Sequence, residues 1–276
     1  MILRIEDDFD LDRIADSGQC FRWEKAEQGT YRVLHGAECL YITDRGNACY
    51  ELDSGEDAFR EVWSVYFDLA EDYRRLRKRL EGSGDTFLRR AAEAEKGIRI
   101  LRQDPWEMLI SFIISQNRNI PAIRRSIALL AELCGERRTD SRGRTYCAFP
   151  VPEALAAADG DSLRRCSLGY RCGYVHAAAE AVMSGAIDLE ALRTADEERT
   201  MAALTALEGV GPKVASCVSL FGLHHMDAFP KDVWIRRILE REYPEGYPFE
   251  AHSPYNGLYQ QYMFAYYRKL HGREEG

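Results

Sequence analysis

Long hydrophobic runs are absent from this sequence. Hydrophobic residues make up 46% of its 276 residues, yet no apolar stretch is long enough to span a bilayer. The first residues also lack the basic and apolar segments of a signal peptide. We therefore expect a cytoplasmic protein with no membrane partner.

Closely spaced cysteines are absent as well. The eight cysteines are scattered, none forms a Cys-x-x-Cys pair, and none follows Cys217. In a reducing compartment we expect them to be free thiols. His224 and His225 are adjacent, so they face different directions on a helix, and they give no ligand spacing. The sequence therefore predicts no metal site.

An excess of positive charge is also lacking, since the formal net charge is −8. This balance argues against a purely electrostatic nucleic-acid binder. The basic residues are nevertheless grouped, and backbone amides can hold phosphates without formal charge. The groups are Arg74 to Arg79, Arg89 to Arg102, Arg118 to Arg144, and Lys231 to Arg237. Any non-specific affinity for nucleic acid should be modest and sensitive to salt.

The residue pattern changes from β to helical along the chain. Short aromatic and β-branched segments, separated by glycine-containing breaks, predict strands at Gln19 to Lys25, Thr30 to His35, Glu38 to Thr43 and Ala48 to Leu52. Apolar residues at helical spacing then predict a continuous helix from Glu56 to Leu80, and mostly helices thereafter. We read Cys134 to Phe149 and Glu242 to Ser253 as irregular. The fold class is α+β, and the chain is long enough for two or three small domains.

A glycine-rich turn lies between two of the helical patterns, at Leu207 to Lys213. Gly209 and Gly211 permit a positive φ or a close approach of another molecule to the backbone. Pro212 suits the first turn of the following helix. Such a turn presents free amides at the positive end of a helix, which is a natural phosphate site.

Two charged residues flank the second helix of this hairpin. Lys213 stands at its start, where the helix dipole and burial would disfavour the charged amine and so favour a nucleophile. Asp232 precedes an amphipathic run, where it can serve as an N-cap and as a carboxylate facing the target of Lys213. Each feature alone is more often structural; the three in this order favour catalysis.

This hairpin, lysine and aspartate resemble the helix-hairpin-helix, Gly/Pro-Asp motif of base-excision DNA glycosylases. Further stretches resemble the 8-oxoguanine DNA glycosylase/lyase of the eukaryotic type, with its bacterial and archaeal relatives, from Gly18 to Phe264. The resemblance implies a small N-terminal antiparallel β-sheet domain (1–95). Two mostly helical domains are implied after it, one formed by 96–130 plus 230–276 and one, carrying the hairpin, by 131–229.

The resemblance also implies how a damaged base is read. Gly18, within Gly18-Gln19-Cys20-Phe21-Arg22-Trp23, would offer its carbonyl to the N7 hydrogen that 8-oxoguanine has and guanine lacks. Cys217, one turn after Lys213, and Phe264 would sandwich the base, and Gln260 would contact its Watson–Crick edge. Cys217 and Phe264 could equally be ordinary core residues, and for Phe21 and Trp23 we favour the core.

A third set would hold the duplex. Asn117, in Ser115-Gln116-Asn117-Arg118-Asn119, would fill the space left by the extruded base. Tyr170 would wedge into the stack and Arg171 would donate to the widowed cytosine, while Gly209 and Gly211 would seat the backbone. Two positions depart from the eukaryotic pattern, since Ala122 replaces a cytosine-reading arginine and Trp234 a phosphate-binding histidine. Opposite-base preference is therefore open.

The expected activity is excision of 8-oxoguanine from double-stranded DNA by a monomer, through a Schiff base on Lys213 and β-elimination. The hairpin carbonyls near Leu207 and Val210 could hold a structural monovalent cation. No other cofactor is expected, and an iron–sulfur cluster is excluded because no cysteine follows Cys217. Two alternatives are open: a glycosylase for alkylated or other damaged bases, and a non-catalytic DNA-binding helix-hairpin-helix protein.

Overall fold

The N-terminal part is built on a five-stranded antiparallel sheet. A computed structural model describes residues 1–271 of the chain. The strands of this sheet are β1 (Ile2–Arg4), β2 (Trp23–Glu27), β3 (Thr30–His35), β4 (Glu38–Asp44) and β5 (Cys49–Leu52). Their order across the sheet is β1-β5-β4-β3-β2. In its centre, Tyr31 pairs with Ile42 and Val33 with Leu40, and all four are buried. The alternation in the sequence thus sets which face packs on the core.

The remainder is mostly helical and confirms the α+β class. A π-helical turn, Phe59–Trp63, lies between two short α-helices, and a two-stranded hairpin is formed by β6 (Arg137–Thr139) and β7 (Thr145–Cys147). The helices are α1 (Leu11–Asp16), α2 (Glu56–Ala58), α3 (Ser64–Tyr66), α4 (Tyr73–Lys78), α5 (Thr86–Ala94), α6 (Pro105–Ser115), α7 (Ile120–Cys134), α8 (Pro152–Ala157), α9 (Gly160–Arg165), α10 (Arg171–Met183), α11 (Leu189–Leu192), α12 (Glu197–Thr205), α13 (Pro212–Phe221), α14 (Val233–Glu242), α15 (Phe249–His252) and α16 (Asn256–His271).

Two hydrophobic clusters hold these elements together. The smaller joins the sheet to α1 and α3, and Trp23 donates there from Nε1 to the Tyr66 hydroxyl at 2.8 Å. The larger extends from α4 to α16 and includes almost all of α6. Phe21 and Trp23 are both buried, as expected of core residues. The three-domain division at 95, 130 and 230 stays a prediction.

The single helix predicted for Glu56 to Leu80 is wrong. The chain leaves the helix after Tyr66, and Asp68 adopts a φ of +50°. The buried guanidinium of Arg99 fills this break and donates to the carbonyls of Phe67, Asp68 and Glu71 at 2.6–3.0 Å. One distant arginine thus replaces the helical hydrogen bonds that the apolar periodicity suggested.

Several shorter elements also differ from the prediction. The segment Cys134 to Phe149 contains the β6–β7 hairpin, whose turn is closed by Asp140 Oδ1 accepting the amides of Arg142 and Arg144. The strand predicted from Gln19 begins only at Trp23, because residue 19 turns its side chain into the protein. The prediction also missed β1, α1, α11 and α15. In residues 1–271, no helix is both long and apolar enough to cross a membrane.

Candidate active site and DNA interface

Helix α13 positions the candidate nucleophile. It begins at Pro212 with Gly211 as N-cap, and no side chain caps its first amides. Lys213 is its second residue and is partly buried. The Lys213 Nζ lies 5.7 Å from the ring centroid of Phe112, a buried residue of α6. The hairpin therefore turns this amine towards the interior of the helical part, beside exposed amides.

The two glycines of the hairpin differ in what they allow. Gly209 has a φ of +76°, and a Cβ added there would lie 2.3 Å from the ring of Tyr174. Gly211 has an ordinary backbone conformation, and a Cβ there would meet nothing within 4 Å. Gly209 is thus required by the turn itself. Gly211 is free of any such need inside the protein and leaves the backbone open to an outside molecule.

Asp232 is both an N-cap and a neighbour of the lysine. Its Oδ1 accepts the amide of Ile235 at 2.8 Å and so begins α14. Burial raises the pKa of the Asp232 carboxyl, while that amide and the charges of Lys213 and Arg268 act in the opposite direction. The structural and the functional interpretations of this residue are therefore compatible. The cap fixes one oxygen, and the carboxylate faces two cations.

Cys217 lies one helical turn after Lys213, on the same face of α13. It is only 3% exposed, and burial raises the pKa of its thiol to about 11. Lys213 opposes that rise in pKa through its charge and a side-chain hydrogen bond, and Asp232 adds to it. The structure thus brings the lysine, the cysteine and the aspartate together.

Gly18 and Phe264 also face each other. Gly18 has a φ of +84°, and a Cβ added there would lie 3.4 Å from Phe264 Cε1. Gln19 holds this turn from beneath, because its Nε2 donates to Ser17 Oγ and to the Arg99 carbonyl, both at 2.8 Å. Its Oε1 accepts the amide of Leu101 at 2.8 Å. The turn that carries the Gly18 carbonyl is therefore rigidly mounted.

Gln260 lies beside the segment that leads to Asp232. It is buried, and its Nε2 donates to the Pro230 carbonyl at 3.0 Å. Its Oε1 accepts a hydrogen bond from Gln261 at 2.9 Å. Both ends of the amide are thus engaged. A base that reached Gln260 would have to exchange at least one of these bonds for its own.

A cleft of about 590 Å³ opens beside Lys213. Three cationic side chains line it, Lys213, Lys231 and Arg236, and so do three carboxylates, Glu197, Asp227 and Glu250. Cys217 and Gln260 do not line it, and each is only 3% exposed. An extruded base would therefore reach them only after neighbouring side chains move.

Asn117 and Tyr170 are brought together at the surface. Asn117 follows α6 with a φ of +51°, and its Nδ2 lies 3.4 Å from the Tyr170 hydroxyl. The Tyr170 side chain is 57% exposed, which is unusual for a large aromatic residue. An exposed amide and an exposed ring thus stand side by side, although their sequence positions are far apart.

Arg171 differs from the surface arginine that its turn suggested. It is 6% exposed and stacks on Tyr170, with Cζ 4.3 Å from the ring centroid. Nη1 donates to the Leu168 carbonyl at 3.2 Å and Nη2 to the Gln116 carbonyl. Within residues 1–271, its buried Nε has no hydrogen-bond acceptor. The guanidinium points at the Asn117 loop and holds it.

Two further residues, Gln116 and Arg268, belong to the site and were not predicted from the sequence. Gln116 donates from Nε2 to the Gly209 carbonyl at 3.1 Å and to the Ile113 carbonyl at 3.0 Å, so it ties the Asn117 loop to the hairpin. Arg268 approaches Gly18, Phe264 and Asp232. The position of Arg268 one helical turn after Phe264 could have identified it from the sequence. For Gln116, the sequence offers no such feature except its place in the loop.

Models of known families match most of the chain. Residues 1–109 match the N-terminal domain of 8-oxoguanine DNA glycosylase, and residues 110–245 match the HhH-GPD superfamily of base excision DNA repair proteins. With the hairpin, Lys213 and Asp232 in place, the fold and site define a helix-hairpin-helix DNA glycosylase.

Similar proteins narrow this class. The N-glycosylase/DNA lyase of Saccharomyces cerevisiae is 34% identical over 90% of this chain and 73% of its own length. The structure of MBOgg1 with a low-affinity DNA ligand matches with a TM-score of 0.92 and 37% identity, covering 98% of this chain and 95% of the other. A third match is the 8-oxoguanine glycosylase/lyase of Clostridium acetobutylicum, solved with double-stranded DNA containing 8-oxoguanine opposite cytosine. Its TM-score is 0.89 and its sequence identity is 33%, and the match covers 98% of this chain and 95% of the other. This chain belongs to the 8-oxoguanine DNA glycosylase/lyase family.

Proposed function

We propose that this protein excises 8-oxoguanine from double-stranded DNA and then cleaves the strand at the resulting site. The observation that carries the proposal is the position of Lys213 at the open start of α13, beside Cys217 and Asp232. A non-catalytic hairpin needs neither the lysine nor the aspartate. A glycosylase that works through activated water needs no amine at this position.

The chemistry follows from these groups. The Lys213 amine attacks C1′ of the extruded nucleotide, the bond from C1′ to N9 breaks, and the base leaves with the electron pair and takes up a proton. The Asp232 carboxylate stabilises the positive charge that develops on the sugar. The C1′–O4′ bond of the sugar ring then breaks, O4′ takes up the proton that the nitrogen loses, and the nitrogen forms a Schiff base with C1′. Loss of a proton from C2′ breaks the C3′–O bond, the phosphate leaves with the electron pair, and the strand is cut.

We assign recognition of the damaged base mainly to the turn at Gly18 and to α16, the last helix. The Gly18 carbonyl would accept the N7 hydrogen of 8-oxoguanine, whereas guanine would present a second acceptor to it. Cys217 and Phe264 would stack on the two faces of the base, and Gln260 would contact its edge. The mount that Gln19 provides for the turn supports this assignment, since discrimination by one carbonyl requires a fixed position.

The duplex would be held by the hairpin and the Asn117 loop. Gly209 and Gly211 expose the amides of the hairpin for a phosphate. Asn117 and Tyr170 would occupy the gap in the base stack, and Arg171 would contact the widowed cytosine. That contact requires Arg171 to use its unbonded Nε or to give up the Gln116 carbonyl.

A structural monovalent cation at the hairpin belongs to the same proposal. The Leu207 carbonyl accepts the amide of Val210 and the Gly209 carbonyl accepts Gln116, so each retains one lone pair for a cation. Such an ion would hold the turn and take no part in the reaction. We propose further that the protein acts as a monomer in the cytoplasm, where it reaches DNA.

Trapping with borohydride tests the nucleophile. Wild-type protein incubated with a duplex containing 8-oxoguanine should give a covalent adduct on reduction, and Lys213→Gln should give none, with excision reduced more than about 1000-fold. Lys231→Gln is the matched control, because Lys231 lines the same cleft and should still be trapped. Trapping of the Lys213→Gln variant would refute the assignment.

A panel of duplexes tests the lesion. With 8-oxoguanine opposite each of the four bases, and an alkylated base in the same sequence, we expect cleavage of the 8-oxoguanine strands and none of the alkylated strand. Faster release of the alkylated base would favour the alternative glycosylase. Equal affinity for damaged and plain duplex, with no product, would favour a binding protein.

A further inference from the structure

Arg268 contacts three parts of the candidate site at once. It lies on α16, one turn after Phe264, and its Cζ is 5.4 Å from the centroid of that ring. Its Nη2 donates to the carbonyl of Asp16 at 2.7 Å. Its Nη1 comes within 4.0 Å of the Cβ position that an alanine would have at residue 18. The guanidinium therefore lies where the Gly18 turn meets the Phe264 ring.

The contact with Asp16 joins the two ends of the described chain. Asp16 is the last residue of α1 and lies two residues before Gly18. A cation at this carbonyl also meets the negative end of a helix. The turn is thus fixed from two sides, by Gln19 from within and by Arg268 from the last helix.

The positive charge of Arg268 also acts on Asp232, the carboxylate assigned to catalysis. The charges of Arg268 and Lys213 both lower the pKa of the Asp232 carboxyl, against the effect of burial. The planar guanidinium can donate to a carbonyl and lie over a ring together, which an ammonium does poorly. A partly exposed arginine has little value for stability alone. The position of Arg268 is better explained by its contacts with the Gly18 turn and the Phe264 ring, which it holds in a fixed arrangement.

Building on the function proposed above, we propose that Arg268 is a positioning residue for lesion recognition. It holds the Gly18 carbonyl at a fixed place against the Phe264 ring, so that the pocket can distinguish the N7 hydrogen of 8-oxoguanine from the N7 lone pair of guanine. Cleavage of a pre-formed abasic site involves no base and breaks no C1′–N9 bond, so it requires neither this arrangement nor the charge stabilisation assigned to Asp232.

The experiment compares two reactions of the same protein. Under single turnover, Arg268→Ala should excise 8-oxoguanine about tenfold more slowly, because small displacements of recognition groups are costly. Its cleavage of an abasic-site duplex, and its borohydride trapping there, should stay within about twofold of wild type. Arg268→Lys should recover part of the excision rate, since it restores a donor for the Asp16 carbonyl.

Lys269→Ala is the matched control. Lys269 is the next residue of α16 and pairs with Glu95 at 2.6 Å, so its loss should leave both rates unchanged. A second measurement uses the Lys213→Gln variant, which should bind DNA without forming the covalent adduct. Adding Arg268→Ala to it should lower the preference for an 8-oxoguanine duplex over a guanine duplex, measured as the ratio of association constants, about tenfold.

Two outcomes would overturn the proposal. A parallel fall in excision and abasic-site cleavage would mean that Arg268 supports the fold or the grip on DNA. No fall in either rate would mean that the turn needs no such support. Failure of the proposed function itself looks different, because wild-type protein would then cleave neither substrate.

Discussion

At the scale of single residues, the hairpin separates two uses of glycine. Gly209 combines a φ of +76° with a ring that leaves no room for a Cβ, whereas Gly211 meets neither condition. One glycine therefore serves the fold of the turn. The other leaves its backbone accessible from outside, which the proposed phosphate site requires.

The two glycines give a paired prediction. Gly209→Ala should lower the free energy of unfolding by about 2–4 kcal/mol, from strain at positive φ and the clash with Tyr174. Gly211→Ala should cost only about 0.5 kcal/mol, yet weaken duplex binding about tenfold, because a methyl group obstructs the backbone. Urea unfolding and fluorescence anisotropy measure the two effects. Equal losses of stability in both variants would contradict this division.

Individual site residues were predictable where the local pattern decides their position. Cys217 follows Lys213 by one turn, and Asp232 precedes an amphipathic run, so helical geometry alone placed both. The burial of Arg171 could not be foreseen, since it depends on the Gln116 carbonyl, contributed by another helix end. Arg268 lay at a predictable spacing from Phe264, but its contact with Asp16 joins opposite ends of the described chain.

At the scale of elements, a buried carboxylate joins α6 to the sheet. Glu107 Oε2 accepts the Gly36 amide at 2.9 Å and lies 3.5 Å from Arg22 Nη1. Arg22 donates in turn to the carbonyls of Gly36 and Cys147 at 3.1 and 2.6 Å. Burial raises the pKa of the Glu107 carboxyl to about 7, against the influence of Arg22 and the Gly36 amide.

This raised pKa predicts a dependence of stability on pH. Below about pH 4.5, Glu107 is protonated whether the chain is folded or unfolded, so it has no effect. Between that pH and about 7 the unfolded chain loses the proton first, and the free energy of unfolding falls as pH rises, by about 3 kcal/mol. Glu107→Gln should remove this part of the fall.

Denaturant unfolding at pH 5 and pH 8 measures the effect. The matched control is Glu153→Gln on α8, where the carboxylate is exposed and the dependence should follow wild type. A Glu107→Gln variant with the full wild-type decline would show that another group is responsible.

The elements themselves show where sequence patterns fail. The helix from Pro105 and the one that Pro121 opens were found because proline and apolar spacing agree, and the structure adds a side-chain cap to each, from Asp104 and Asn119. The break after Tyr66 was missed because Leu69, Tyr73 and Leu76 continue the apolar period, and Arg99 overrides it from outside. The β6–β7 hairpin was missed because its basic residues conceal a turn that Asp140 closes.

At the scale of the whole molecule, an acidic protein must hold an acidic polymer. The net charge is −8, and the cleft beside α13 sets Lys213, Lys231 and Arg236 among an equal number of carboxylates. Because these charges balance, the exposed amides at the start of α13 must supply much of the contact with phosphate. The α+β architecture and the order of sheet and helices were predictable, whereas the grouping of these cations became visible only once the starts of α13 and α14 were placed on one cleft.

The charge distribution predicts the salt dependence of DNA binding. If the three cations of the cleft each neutralise a phosphate, the logarithm of the association constant should fall with the logarithm of salt concentration with a slope of about −2.7. Lys231→Ala should reduce the slope by about 0.9. Lys78→Ala, an exposed lysine on α4 outside the cleft, should not change it. A slope much steeper than about −5 would indicate a far wider basic surface.

The amide of Gln116 has a consequence for how intact DNA is searched. That side chain belongs to the Asn117 loop and its acceptor, the Gly209 carbonyl, belongs to the hairpin, so the proposed phosphate site and the proposed gap-filling asparagine form one preassembled unit. This unit could then test each base pair of the DNA without first having to become ordered. The entropic cost of ordering it has already been met when the protein folds.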